Sequence, residues 1–199
     1  MFTGIVEKTA PIASILRRDN GIRLTVVTDW HDIHAGESIC VNGTCLTALD
    51  DEAHAQFDIS PETLEKTSFS SLKEGDLVNL ERSMPANGRF SGHYVTGHID
   101  TCAKLASSNQ VGEYHVLTFS HFGHPKAARY MVDKGSITVN GVSLTINRVD
   151  GENIKLMIIP HTLAVTNLSN LSIGDLVNIE FDYFARLIAH QMTLIQQEV

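Results

Sequence analysis

Val41-Asn42-Gly43-Thr44-Cys45-Leu46-Thr47 returns farther along the chain as Val139-Asn140-Gly141-Val142-Ser143-Leu144-Thr145. Two more echoes follow in the same order. Pro61-Glu62-Thr63-Leu64 recurs as Pro160-His161-Thr162-Leu163, and Gly75-Asp76-Leu77-Val78-Asn79-Leu80-Glu81 as Gly174-Asp175-Leu176-Val177-Asn178-Ile179-Glu180. From Pro61 to Glu81, twelve of twenty-one positions are identical to Pro160 through Glu180, far above chance. The openings also align, Phe2-Thr3-Gly4-Ile5-Val6-Glu7 with Val95-Thr96-Gly97-His98-Ile99-Asp100. A spacing near one hundred residues is too long for a solenoid period and has the size of a small domain. The chain therefore reads as a duplication. Units 1–90 and 91–183 meet where Pro85, Asn87, Gly88 and Gly92 cluster, and a segment 184–199 follows.

Each unit reads as short strands punctuated by turns. Leu24–Val27, Ser38–Val41, Leu46–Leu49 and Leu77–Leu80 are β-branched or alternating runs, matched by Ser136–Val139, Leu144–Ile146, Ile154–Ile159 and Leu176–Ile179. Asn42-Gly43 and Asn140-Gly141 suit two-residue hairpin turns, in which both central residues take positive φ. Pro61 and Pro160 suit the first position of brief helices. Many short strands in so few residues favour a closed barrel, because closure removes sheet edges. After Asp182 the apolar residues Phe184, Leu187, Ile188, Met192 and Ile195 fall at three- and four-residue steps, a helical stripe. It must bury that stripe against its own barrel or against the same helix of another subunit.

Composition narrows the function. The 199 residues are 43% hydrophobic and 19% charged, an ordinary globular balance. A net charge of −8 argues against a nucleic-acid surface. No apolar run approaches the roughly 20 residues of a membrane helix, and the start has no signal-peptide pattern. Three cysteines, Cys40, Cys45 and Cys102, lack CxxC spacing, so the expectation is a reducing, cytoplasmic setting without a disulfide framework or zinc finger.

The duplication supplies its own control, because positions that differ between copies mark divided labour. Cys45 faces Ser143 in the alignment, and His98 faces Ile5. One copy thus offers a thiol, a nucleophile as thiolate, and the other opening offers an imidazole that moves protons near neutrality. A serine and an isoleucine shape a pocket. These two residues do chemistry together only if the two units share a site.

The chain from Met1 to about Arg186 resembles the riboflavin synthase family. The likeness rests on Met1-Phe2-Thr3-Gly4-Ile5-Val6-Glu7, the two Val-Asn-Gly-x-[Cys/Ser]-Leu-Thr heptads, Pro-[Glu/His]-Thr-Leu and Gly92-His93-Tyr94-Val95-Thr96-Gly97-His98-Ile99-Asp100. Ser91, where glycine is more usual, and Arg186, where lysine is frequent, depart from the pattern. The resemblance implies an all-β fold of two similar six-stranded antiparallel Greek-key barrels, with a C-terminal α-helix that joins three subunits into a homotrimer. It implies a transferase that dismutates two 6,7-dimethyl-8-ribityllumazine molecules. One gives a four-carbon unit to the other, forming riboflavin and 5-amino-6-ribitylamino-pyrimidinedione, with no cofactor and no metal.

Carried over by motif, the first pocket takes Cys45, Leu46, Thr47, Asp58, Ile59, Ser60, Pro61, Glu62 and Thr63, the opening residues Gly97, His98 and Ile99, and Lys134 from another chain. The second takes Ser143, Leu144, Thr145, Ile159, Pro160, His161, Thr162, Leu163 and Ala164, with Gly4, Ile5 and Val6. Phe2, Ser38 and His93 complete the site. His98 is expected to shuttle protons and Cys45 to assist at the attacked ring carbon, with Ser143 and Asp182 supporting the second ring. The rival reading is a lumazine- or flavin-holding optical antenna, which needs no thiol and imidazole in one pocket. A flavin-binding oxidoreductase domain is weaker, since no GxGxxG follows a strand. His31-His34 and His121-His124 have chelating spacing only on a helix with further ligands. Asp50, Asp51 and Glu52 read as a solvated turn, and Trp30 as a half-buried aromatic on a barrel rim.

Overall fold

The structure, a computed structural model, describes residues 1–49 and 54–197. The acidic run Asp50-Asp51-Glu52 lies outside the described residues. The first barrel is closed by β1 (Lys8–Arg18), β2 (Gly21–Val26), β3 (Ser38–Val41), β4 (Thr44–Leu49), β5 (Ala55–Ile59) and β6 (Leu77–Arg82) in the order β1-β2-β5-β4-β3-β6. The second holds β7 (Thr101–Val111), β8 (Tyr114–Ser120), β9 (Ser136–Val139), β10 (Val142–Asp150), β11 (Asn153–Ile158) and β12 (Leu176–Phe181), in the order β10-β11-β8-β7-β12-β9. Neighbouring strands pair antiparallel throughout. Both barrels run in the same Greek-key sense, as a duplication demands.

Local chemistry explains the turns. Asn42 and Gly43 take φ of 44° and 83°, and Asn140 and Gly141 take 47° and 80°, the paired left-handed geometry of a two-residue hairpin. Helix α1 (Pro61–Lys66) starts with Pro61 behind Ser60, whose Oγ accepts from Thr63 N at 3.2 Å. Helix α2 (Pro160–Val165) has proline at the same place without a side-chain cap.

Strands β1, β5, β7 and β8 have no counterpart among the runs read from sequence. In β1, Pro11 interrupts the pattern and the last residues are exposed. A bulge between Ile12 and Ser14 accommodates it, and Pro11 serves as an acceptor for Val27 N at 3.0 Å. Strand β7 buries Thr101, Ala103 and Leu105 and then runs polar, too faint an alternation to register.

Each barrel encloses its own core, Leu24, Ile39, Phe57 and Leu80 in one, Leu105, Phe119, Ile137 and Phe181 in the other. The two are joined by reciprocal bonds, as an approximate twofold requires. Phe2 N donates to Val95 O at 3.0 Å and Val95 N to Phe2 O at 3.3 Å. Asn79 Nδ2 donates to Asn140 O at 2.9 Å, and Asn178 Nδ2 to Asn42 O at 2.8 Å. Their backbone amides donate in turn to Asn42 Oδ1 and Asn140 Oδ1. These buried amides are fully paired, so the joint is specified by direction as well as by burial.

Helix α3 (Tyr183–Gln197) has no buried residue. Its stripe of Phe184, Leu187, Ile188, Met192 and Ile195 is exposed on the single chain.

Candidate active site

Alternation along β3 sends Ile39 and Val41 into the barrel and turns Ser38 and Cys40 outward. On β4, Leu46 and Ala48 point in, and Cys45 and Thr47 point out. Register then places Ser38 opposite Thr47 and Cys40 opposite Cys45 on one outer face. The opening segment of the second unit lies against that face. Cys45 N donates to Gly97 O at 2.8 Å, and a Cβ on Gly97 would stand 2.6 Å from Cys45 Cβ. Only glycine fits there, at φ 78°. The next residue, His98, is exposed, its amide donating to Thr96 Oγ1 at 3.2 Å.

The second barrel repeats this with other chemistry. Ser143 N donates to Gly4 O at 2.8 Å, a Cβ on Gly4 would meet Ser143 Cβ at 2.7 Å, and exposed Ile5 takes the place of His98. Each barrel's hairpin is thus completed by the opening segment of the other unit. Two buried carboxylates hold those segments. Glu180 accepts from Thr96 N (2.8 Å), Thr96 Oγ1 (2.6 Å) and Gly97 N (2.9 Å). Glu81 accepts from Thr3 N (2.8 Å), Thr3 Oγ1 (3.2 Å) and Gly4 N (3.0 Å). Burial pushes both carboxyls up, and the bonds from Thr3, Gly4, Thr96 and Gly97 pull against it.

The surroundings of the two half-sites differ. Over Ser143, the connection between units folds back, with His93 N donating to Thr3 O at 3.1 Å and His93 Nδ1 2.7 Å from Ser143 Oγ. Burial depresses the His93 pKa and Asp182 opposes it, so the ring is neutral near neutrality. Its Nε2 is buried without a hydrogen-bond partner. Asp182 Oδ1 accepts from Phe184 N and Ala185 N at 2.9 and 3.1 Å, capping α3. On the first barrel, Arg23 grips Asp58 through two bonds of 2.8 and 2.7 Å. The hydrogen bond from Arg23 holds the Asp58 carboxyl below its usual value. Register puts Val116 opposite Met157 at the matching place of the second barrel.

The lumazine binding domain family matches this chain twice, over residues 3–83 and 96–182. Riboflavin synthase from Bacillus subtilis (strain 168) is 43% identical over 194 residues, covering 94% of this chain and 87% of the relative. The chain belongs to the riboflavin synthase family. The riboflavin synthase of Actinobacillus pleuropneumoniae is 42% identical over 193 residues, covering 94% of this chain and 88% of its own. Among solved structures, LumP complexed with riboflavin superposes with a TM-score of 0.82 at 27% identity, covering 91% of this chain and 99% of LumP.

In this riboflavin synthase family member, the fold brings together Cys45, Gly97 and His98 on one side and Ser143, Gly4, Ile5 and His93 on the other. Ser38 and Thr47 pair across β3 and β4, as Ser136 and Thr145 do across β9 and β10. Phe2 is wholly buried at the joint, not open to a ligand. Lys134 belongs to neither group. It sits in the turn before β9 at φ 67°, its amide donating to Ile146 O at 2.7 Å, where the first barrel has Gly36 at φ 89°. A lysine in the left-handed region carries strain that the equivalent glycine does not. Glu81, Glu180 and Arg23 are site residues that the sequence reading does not single out. For the two glutamates a signal existed, since each closes the repeated Gly-Asp-Leu-Val-Asn-x-Glu run. Arg23 carried none. Trp30 is half-buried, with Arg82 and Lys8 over its ring at 4.8 and 5.3 Å.

Proposed function

We propose that the chain is a transferase that dismutates two molecules of 6,7-dimethyl-8-ribityllumazine to riboflavin and 5-amino-6-ribitylamino-pyrimidinedione. The observation that carries this is the reciprocal pairing of Cys45 with Gly97 and Ser143 with Gly4, which makes two half-sites of one shape and unequal chemistry. A reaction between two identical molecules, one donor and one acceptor, needs that arrangement. The methyl at ring position 7 is acidic because the conjugated ring delocalises the carbanion, so holding two rings face to face supplies most of the acceleration. Orientation of this kind is worth about 7–11 kcal/mol, and acid–base help adds about 10²–10⁴-fold.

In this reading His98 moves the methyl proton and Cys45 assists at the ring carbon under attack. Ser143 and His93 face the second ring, and Asp182 acts on it through the cap of α3 and through His93. The unpaired His93 Nε2 is a group that a bound ring or ribityl hydroxyl satisfies. Backbone groups of residues 58–63 and 159–164 take the amide-like edges of the rings, and Thr47 and Thr145 take ribityl hydroxyls. The reading places this work in the cytoplasm, the reducing setting that three cysteines without CxxC spacing favour; no helix among the described residues is long and apolar enough to cross a membrane. The exposed stripe of α3 suits a homotrimer, which brings Lys134 of one chain to the Cys45 half-site of the next.

Incubation with the lumazine tests this directly. Riboflavin fluorescence should grow while lumazine absorbance falls in a two-to-one ratio. The competing reading, a chromophore holder like LumP, is favoured by the fold match alone. It predicts a stable bound-lumazine spectrum and no riboflavin.

A further inference from the structure

Cys40 plays no part in the scheme above, yet it is the residue that register places directly opposite Cys45. The pair is the second one out from the Asn42-Gly43 turn, and Cys45 N points away from β3 to Gly97 O. That makes it a non-hydrogen-bonded pair, the closer of the two antiparallel spacings, about 4.5 Å between Cα atoms. Such a spacing lies within the range a disulfide spans. Both side chains lie on the outer face and pack with Phe2 and Val95 in one small cluster. Cys40 is buried and Cys45 half-buried, so Cys45 is the more accessible of the two. The second barrel has Thr138 and Ser143 at the same register pair, and neither can oxidise. The third cysteine, Cys102, has its thiol directed at Lys66 O and Asn178 Oδ1.

We propose that Cys40 is a resolving thiol for Cys45, and that a hydroperoxide converts the pair into a reversible disulfide that switches off the Cys45 half-site. The Cys45 thiolate attacks one peroxide oxygen, the O–O bond breaks, and the leaving hydroxide takes a proton to become water. This leaves a sulfenic acid on Cys45. Cys40 then attacks Cys45 Sγ, the S–O bond breaks, and the released hydroxide takes the Cys40 proton as a second water. Two thiols are oxidised and one peroxide is reduced. Burial, with the carboxylates of Glu81 and Glu180 nearby, keeps Cys40 protonated, so attack begins at Cys45. The linkage spares Cys45 from irreversible sulfinic acid. The loss of turnover rests on the catalytic reading of Cys45, while the disulfide itself does not.

The test exposes the full chain to equimolar hydrogen peroxide, alkylates the remaining thiols, and maps the peptides by mass spectrometry, with turnover followed in parallel. The peptide bearing Cys40 and Cys45 should be two hydrogens lighter, only Cys102 should alkylate, and a dithiol should restore the lost turnover. Cys40→Ala, or Cys40→Thr copying the second barrel if alanine leaves too large a gap, should keep basal turnover. Both variants should lose it irreversibly to peroxide as Cys45 is over-oxidised. Sulfinic acid on Cys45 at the same rate in parent and Cys40 variants, with no disulfide, overturns the proposal. A disulfide that forms while turnover persists supports the pairing and removes Cys45 from the reaction instead.

Discussion

Glu180→Gln separates positioning from mere stability. The carboxylate receives three bonds of 2.6 to 2.9 Å from Thr96 and Gly97 and is 1% exposed. In the amide, one oxygen can keep the two Thr96 bonds, while the new NH₂ group meets Gly97 N–H donor to donor. A lost bond to a charged group is worth about 1.5–3 kcal/mol, and the stranded buried donor belongs to the same interaction. Against this, the amide removes a buried charge that burial already disfavours. The net cost is about 2 kcal/mol, or about 4–8 °C in melting temperature for a chain this size. The functional cost is larger. Gly97 shifts off Cys45, and a displacement near 1 Å is worth about 10²-fold in turnover. Glu81→Gln makes the matching change at Gly4 and Ser143 without disturbing an ion pair like the one Glu180 makes with Arg186 at 3.8 Å, so it should cost no more stability and, on the proposed reading, much less turnover, because His98 and Cys45 stay in place. Thermal melts and steady-state riboflavin fluorescence read the two effects. A Glu180→Gln variant that melts like the parent, or that loses stability while turning over at the parental rate, refutes the reasoning.

Cys45→Ser and His98→Gln should depress turnover far more than lumazine binding, and an equal loss in Ser143→Ala would abolish the proposed asymmetry. Arg23→Ala should lower the melting temperature by only a few degrees, because Asp58 at the far end of the fork is half exposed and a pair open to solvent contributes little. It should raise KM as Asp58 loses the fork that fixes it, and an unaltered KM takes this edge of β5 out of the pocket. Burial holds His93 below its usual 6.5, so the unfolded chain gains a proton there that the folded chain resists. Stability from this residue is therefore intact above pH 6.5 and lost as pH falls toward the folded value. In urea melts between about pH 8 and pH 5, His93→Gln should lose less stability than the parent, and parallel curves would contradict the assignment. A chain ending at Tyr183 should sediment as a monomer with intact barrels, whereas a surviving trimer would assign the joint elsewhere.

What the chain disclosed before folding was whatever is written locally or twice. Asn42-Gly43 announces its turn because both φ values must be positive. The heptads, prolines and openings announce the duplication because identical runs recur at one spacing. The helical stripe after Asp182 announces α3. Other features need contacts that sequence distance hides. Glu81 meets Thr3 across 78 positions and Glu180 meets Gly97 across 83. The repeated Gly-Asp-Leu-Val-Asn-x-Glu run marks both as retained, but its context reads as the end of a strand, and only the fold shows that they clamp the opening segments. Arg23 and Asp58 are joined only by register across β2 and β5. Likewise Cys40 faces Cys45 only once the hairpin closes. Strand β1 is faint in the sequence because Pro11 and an exposed end blur its alternation, and closure of the barrel overrides that weak local preference.

The duplication also explains why so few residues separate a scaffold from a reactive site. The parts that set geometry remain paired across the internal twofold: Glu81 with Glu180, Gly4 with Gly97, Asn79 with Asn178. Changing one of these moves a whole opening segment, as the three bonds to each glutamate require. The parts proposed to carry chemistry sit at the ends of that scaffold, where Cys45 stands in the place of Ser143, His98 in that of Ile5 and Arg23–Asp58 in that of Val116–Met157. Substitution there alters a contact atom without disturbing the backbone beneath it. The twinned frame fixes each opening segment on its hairpin, so on the proposed reading one half-site can diverge toward proton transfer and attack without disturbing the other. Transplanting Ser143→Cys and Ile5→His onto the second barrel should keep the fold, because the receiving backbone is already shaped by Gly4 and Glu81. Loss of the fold in that double variant would mean that the frame and the chemistry are coupled after all.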